Sequence, residues 1–286
     1  MRFIITILLL SALAADITPA QADDAARLWR ICAQSELIVT GTLSQPRKAD
    51  GSIVADESGY AKITVTVDRT LKGRPQASVT VMQYAKDDSG EVPNRTLARL
   101  NGKRATVFLL SSTLGDGVSR GWFFAGYRNG AVTTSDDEVK AVAHEVARQD
   151  LVLDRWTPRS AQGDRAAVKV FIDRMSDAQT EEAAFATVES MGMPYVPAII
   201  DLMDDRRELP DKRISLRNYS PHAFEGLRHY GPDKITDAVA AILNQITGED
   251  FGFIYNGATD AERARTVAGW RIYQDVLLNH KDWLKR

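Results

Sequence analysis

The sequence predicts an α+β chain in two domains, a five-stranded β-barrel followed by an all-α helical domain. Three observations carry that expectation. Apolar and polar residues alternate from Glu36 to about Val132 in short runs separated by Gly, Pro, Asn and Asp, the period of a half-buried sheet. After Thr134 the apolar residues fall at spacings of three and four, the period of a helix with one buried face. The chain has 286 residues, 44% hydrophobic and 26% charged, enough for two domains that each bury a core without disulfides or structural metal.

The chain opens with Met1, Arg2, an apolar run over residues 3–15 and the small-x-small triplet Ala20-Gln21-Ala22, the pattern of a secretory signal peptide cut after Ala22. The run falls short of the ~20 apolar residues that cross a bilayer, so no stable membrane span is expected. Asp23 becomes the mature N-terminus, and the expected location is periplasmic or secreted. Cys32 is the one cysteine, which excludes an intramolecular disulfide framework and any zinc site of several thiolates. It follows Trp29-Arg30-Ile31, without the small residues a lipid-modified cysteine needs, and it is expected to be buried as a small hydrophobe.

Strands are predicted at residues 36–43, 60–71, 78–84, 104–110 and 121–127. Within the second, Ile63, Val65 and Val67 alternate with Thr64, Thr66 and Asp68, so one face meets a core and the other water. Residues 86–90 and 127–130 supply turn chemistry. The barrel domain is assigned to residues 23–134, a helix and linker to 135–163 and the helical domain to 164–286.

Ser135 and Glu138 form a candidate capping box that opens a helix carrying Val139, Val142, Ala143 and Val146 on one face. Further helices are predicted at 165–174, 180–191, 197–204, 221–230, 234–246 and 260 to about 283. Gly192, Gly231 and Gly248 each follow a predicted helix where a left-handed cap belongs. Thr259 and Glu262 form a second capping box before a stripe of Val267, Trp270, Tyr273 and Leu277. Short amphipathic helices joined by brief loops are the pattern of stacked helical repeats, although no internal period is present.

Residues 35–43, 61–73, 79–81 and 102–110, with the phrase Asp68-Arg69-Thr70-Leu71-Lys72-Gly73, resemble a recurrent bacterial exported domain similar to the netrin-like fold of tissue inhibitors of metalloproteinases. That resemblance covers about the first half of the mature chain and implies an OB-type barrel. Those inhibitors place an N-terminal cysteine on the protease zinc. Here Asp23 takes the terminus and Cys32 lies inside, so that mechanism does not carry over. Residues 193–205, opened by prolines and closed by an acidic turn, resemble a HEAT-like helix; residues 243–252 with Trp270 are similar to the closing segment of bacterial HEAT-repeat proteins. The implication is an α-solenoid fragment that binds through a surface.

Catalytic motifs are sparse. Gly117-Val118-Ser119-Arg120-Gly121 spells the nucleophile elbow, yet it leads into a strand where the elbow needs a helix. His144-Glu145 begins like the zinc-protease helix, but Arg148 stands where the second histidine would be. His222 and His229, on the predicted 221–230 helix, would lie about 10.5 Å apart along the axis, too far to share an ion. His280 is expected at the surface. Asp201, Asp204, Asp205, Glu208 and Asp211 are interleaved with Arg206, Arg207, Lys212 and Arg213 and lack calcium-loop spacing, so a solvated, self-neutralising helix end is expected. Residues 87–91 read as a turn, and Asn94-Arg95-Thr96 is a glycosylation sequon by spelling.

Lys+Arg 36 against Asp+Glu 38 leaves −2; residues 23–157 carry +1 and residues 158–286 carry −3. Neither half offers the basic excess that nucleic acid demands, so Trp122, Phe123, Phe124 and Tyr127 are expected to divide between core and barrel surface. The function expected is that of an exported, non-enzymatic binding or adaptor protein of the cell envelope, with no catalytic residue, cofactor or metal. Its partner would be another envelope or secreted protein. Two alternatives stay open: a secreted protease inhibitor or modulator acting through the barrel, and a serine hydrolase using Ser119.

Overall fold

A computed structural model describes residues 19–46, 49, 54, 59–84, 100–113, 120–125, 131–133, 135–217 and 226–284. The N-terminal part contains a closed five-stranded barrel: β1 (Leu37–Ser44), β2 (Tyr60–Lys72), β3 (Ser78–Tyr84), β4 (Arg104–Thr113) and β5 (Arg120–Phe124). β1 pairs antiparallel with both β2 and β4, β2 with β3, and β4 with β5. A parallel bridge between Val81 and Trp122 joins β3 to β5 and closes the ring in the order 1-2-3-5-4-1. A further strand, β6 (Ala131–Thr133), runs along β4 beyond the end of β5 and adds one strand to the five expected.

The alternation in the sequence becomes the barrel interior. Leu37, Val39, Leu43, Ile63, Val65, Val81, Val107 and Leu109 are buried together, with Trp122 and Phe124 packed against them. Phe123 points the other way, so the aromatic run divides between core and surface as expected. Gly41 sits where β1 bends between two partners: a Cβ there would stand 2.2 Å from the Thr66 carbonyl oxygen, so only glycine allows the two strands this approach.

The C-terminal part is largely helical: α2 (Asp136–Asp154), α3 (Gln162–Arg174), α4 (Glu181–Met191), α5 (Val196–Asp201), α6 (Ile235–Thr247) and α7 (Asp260–Asn279). Both predicted capping boxes are present, with Glu138 N donating to Ser135 Oγ at 3.2 Å and Glu262 N to Thr259 Oγ1 at 3.3 Å. Gly192 and Gly248 terminate α4 and α6 with φ of 68° and 70°. Among the described residues no helix is long and apolar enough to cross a membrane.

One helix precedes the barrel. α1 (Pro19–Gln34) enters between the two parts, and its faces divide the work. Trp29 and Ala33, one turn apart, join the core of the helical part; Trp29 is fully buried with its ring 6.1 Å from Phe251 and 6.2 Å from Tyr273. Ile31 and Cys32 face the other way and pack with Ile38 and Phe108 of the barrel and Val142 and Val146 of α2. The sole cysteine is therefore buried as expected, and burial, reinforced by the charge of Glu145, pushes its thiol up to about 12.

Three expectations need correction. Residues 227–230 form a strand, β8 (Leu227–Tyr230), that pairs antiparallel with β7 (Ile214–Arg217), so the C-terminal part is not all helical. The period there is two: Arg228 and Tyr230 share a face, with Arg228 Nη1 donating to the Tyr230 hydroxyl at 2.7 Å. Gly231 accordingly follows a strand and caps no helix. Asp201 is not solvated; its side chain is fully buried and anchors the segment before α3, accepting from Ser160 N at 2.9 Å, Arg159 N at 3.1 Å and Gln274 Nε2 at 2.7 Å. Those hydrogen bonds hold its carboxyl below the usual range although burial opposes them. His280 is half-buried, its ring stacked 4.1 Å from that of Trp283, rather than free at the surface.

Candidate functional site

The residues that the sequence singles out for chemistry do not converge. His144 is exposed on α2, whereas Glu145 beside it is buried and receives two hydrogen bonds from Arg148, each 2.8 Å. His229 lies on β8, its Nδ1 2.8 Å from Ser215 Oγ. Asp204 pairs with Arg206 and Arg271, and Asp205 with Arg207, so the charges at the end of α5 neutralise one another. Among the described residues no group of three His, Cys, Asp or Glu side chains could hold a metal ion. Ser119, His222, Tyr127, the 87–91 turn, the Asn94 sequon and the apolar run at the N-terminus lie outside the described residues.

What the fold does assemble is a cavity of about 490 Å³ where the barrel meets the helices. Its barrel side is Tyr60, Ser111, Ser112, Phe123 and Phe124; its helical side is the 250–254 loop together with Glu262, Arg265 and Thr266 of α7. The volume is within the range of sites that enclose a small molecule or a few residues of a peptide.

Strand alternation turns Phe123 out of the barrel core, and its ring meets Tyr60 edge-on at 6.0 Å. On the opposite wall alternation works again, in a loop. Phe251 turns inward, with its ring 5.0 Å from Trp270, while Phe253 two residues on is 80% exposed. Gly252 between them has φ of 140°, and a Cβ there would come within 2.5 Å of Thr266 Oγ1. The loop can seat one phenylalanine and present the next only because that position is glycine.

The two walls are tied by ions. Arg120 Nη2 donates to Glu262 Oε1 at 2.9 Å and to Ser111 Oγ at 2.9 Å. Ser111 Oγ in turn donates to Glu36 Oε2, which also receives Arg265 from α7. The resulting row, Glu262–Arg120–Ser111–Glu36–Arg265, alternates in charge. Burial works to raise the Glu262 carboxyl, but hydrogen bonds from Thr259 and then Arg120 overcome it and hold it down at about 2. Beside the cavity Arg30 clamps Glu249 with two bonds of 2.8 Å, and Gln34 Nε2 donates to the Asp250 carbonyl oxygen at 2.9 Å. Arg30 and Glu249 are 219 positions apart, so spacing along the chain carries no sign of this site.

No known family model matches the chain, and no curated protein does. The case for a function therefore rests on the residues of this cavity.

Proposed function

We propose that this is an exported, non-enzymatic binding protein of the cell envelope that takes a segment of another envelope or secreted protein into the cavity between its two parts. One observation carries the reading: the cavity is built jointly, with exposed Phe253 on one wall, the Tyr60–Phe123 pair on the other and ion pairs holding both in place. A large apolar ring left in water beside a preformed cleft is a feature of recognition sites. The barrel's strand order and its parallel β3–β5 contact support an OB-type reading of the first part. The packing of α3 on α4, consecutive helices joined by a short connection, supports a HEAT-like reading of the second. The leader pattern ending at Ala22 supports export.

The test is cross-linking and affinity enrichment from a native envelope extract, run in parallel with the wild-type protein, Phe253→Ala and a remote surface variant, Lys140→Ala. A partner captured by the wild type and by Lys140→Ala but lost with Phe253→Ala is the expected result. Capture that is indifferent to Phe253 would remove the cavity from the function.

A further inference from the structure

The charges around the cavity do not cancel. Glu262 has Arg120, and Arg265 has Glu36, but Asp250 has no cation within ion-pairing distance among the described residues. Its Oδ1 is already committed, accepting from Gly252 N at 2.9 Å and from the Tyr255 hydroxyl at 2.9 Å. Among the described residues its Oδ2 makes no hydrogen bond, and Asp250 lines the cavity alongside Phe251 and Phe253. Among the described residues the cavity thus has one lining carboxylate without a counter-ion, on the loop that also presents Phe253. Asp250 is only partly buried, so this second oxygen is open to a donor that a ligand brings.

Resting on the proposed role of this cavity, we infer that its ligand is cationic: a lysine or arginine side chain, borne on the partner protein, whose alkyl stem lies against the aromatic walls and whose charged head donates to Asp250 Oδ2. Three features meet that chemistry. An ammonium or guanidinium gains a charge-assisted hydrogen bond from the unpaired oxygen. The faces of aromatic rings attract the same cation. An apolar stem of three or four methylenes suits walls of phenyl rings, against which long basic side chains pack while their heads stay polar. An anionic ligand finds Arg265 and Arg120 already neutralised and meets Asp250 with like charge. A neutral ligand covers the carboxylate without satisfying it.

The experiment titrates purified protein, followed by backbone amide NMR shifts at Gly252 and Phe253, with four probes: N-acetyl-lysine methylamide, its uncharged isostere N-acetyl-norleucine methylamide, N-acetyl-glutamate methylamide and cadaverine. The lysine derivative is expected to bind at least about tenfold more tightly than the norleucine one, and the glutamate derivative most weakly. Asp250→Asn keeps the oxygen that Gly252 and Tyr255 use, so the loop should hold; it is expected to abolish the lysine preference while leaving norleucine binding unchanged. Equal affinity for lysine and norleucine, a preference that survives Asp250→Asn, or no shift with any probe would each overturn the inference. Cadaverine binding more tightly than the lysine derivative would overturn the protein-borne source and assign the site to a free amine. The cavity's role is judged separately, by the Phe253→Ala capture, so a wrong charge class and a wrong site give different results.

Discussion

The barrel's buried cluster comes from one continuous stretch of chain, β1 to β5, whereas the core of the helical part takes Trp29 and Ala33 from a helix in front of the barrel. Their polar interiors differ as well. Among its described residues the barrel buries little that is polar: the hydroxyl pair of Thr40 and Thr106 at 3.2 Å, and Gln45 just after β1. The helical part buries charges: Arg263 with Asp237, Asp201 with its donors, and Arg148 between Glu145 and Asp275. A closed sheet pairs its own backbone and needs little from side chains. Helices end, and their ends and the loops between them recruit charged side chains to satisfy what the ladder leaves open.

That contrast can be broken first at Trp29. Trp29→Ala removes the ring that lies against Phe251 and Tyr273, and is expected to cost about 3–5 kcal/mol by denaturant unfolding. A cost under about 1 kcal/mol would show that α1 is not part of the helical core. Next comes the charge comparison. Asp237→Asn takes from Arg263 the buried carboxylate it holds at 2.7 and 2.8 Å and leaves it only the longer contacts to Asp260 and Asp233, and should cost about 3 kcal/mol. The Arg104–Asp68 pair on the barrel is 45% and 46% exposed, and Arg104→Ala should cost no more than about 1 kcal/mol.

The junction between the parts is tested by acid. The Glu262 carboxyl, near 4.5 when unfolded, is held at about 2 in the fold, so it contributes stability above the higher value that is lost as pH falls through the lower. The stability difference between wild type and Glu262→Gln is expected to be constant above about pH 5 and to shrink to nothing near pH 2. The smallest effect is chemical. With the Cys32 thiol at about 12, iodoacetamide at pH 8 should label it only in denaturant; native labelling at the free-thiol rate would place α1 elsewhere. Between the ordinary value of 9.0 and about 12 the unfolded chain loses this proton before the folded one does, so stability should fall as pH rises through that window.

The periodic features were legible in the sequence. Ile63, Val65 and Val81 announce a sheet, Ser135 with Glu138 and Thr259 with Glu262 announce helix starts, and all fall where expected. Short elements were not: β8 is four residues long, too brief for a period of two to be told from one turn of helix. Asp201 reads as one more acid in a charged turn, because its donors, Ser160 and Gln274, lie 41 and 73 positions away. The cavity was illegible for the same reason. Its pairs join residues 30 and 36 to residues 249 and 265, and only the folded chain brings them together.

The position of α1 also orders events in time. A chain that emerges N-terminus first delivers Trp29 early and its partners Phe251 and Tyr273 near the end, with the whole barrel in between. The helical core cannot be finished until the final long helix is out, whatever the barrel has done by then. The delay is written into the connectivity and requires no separate device.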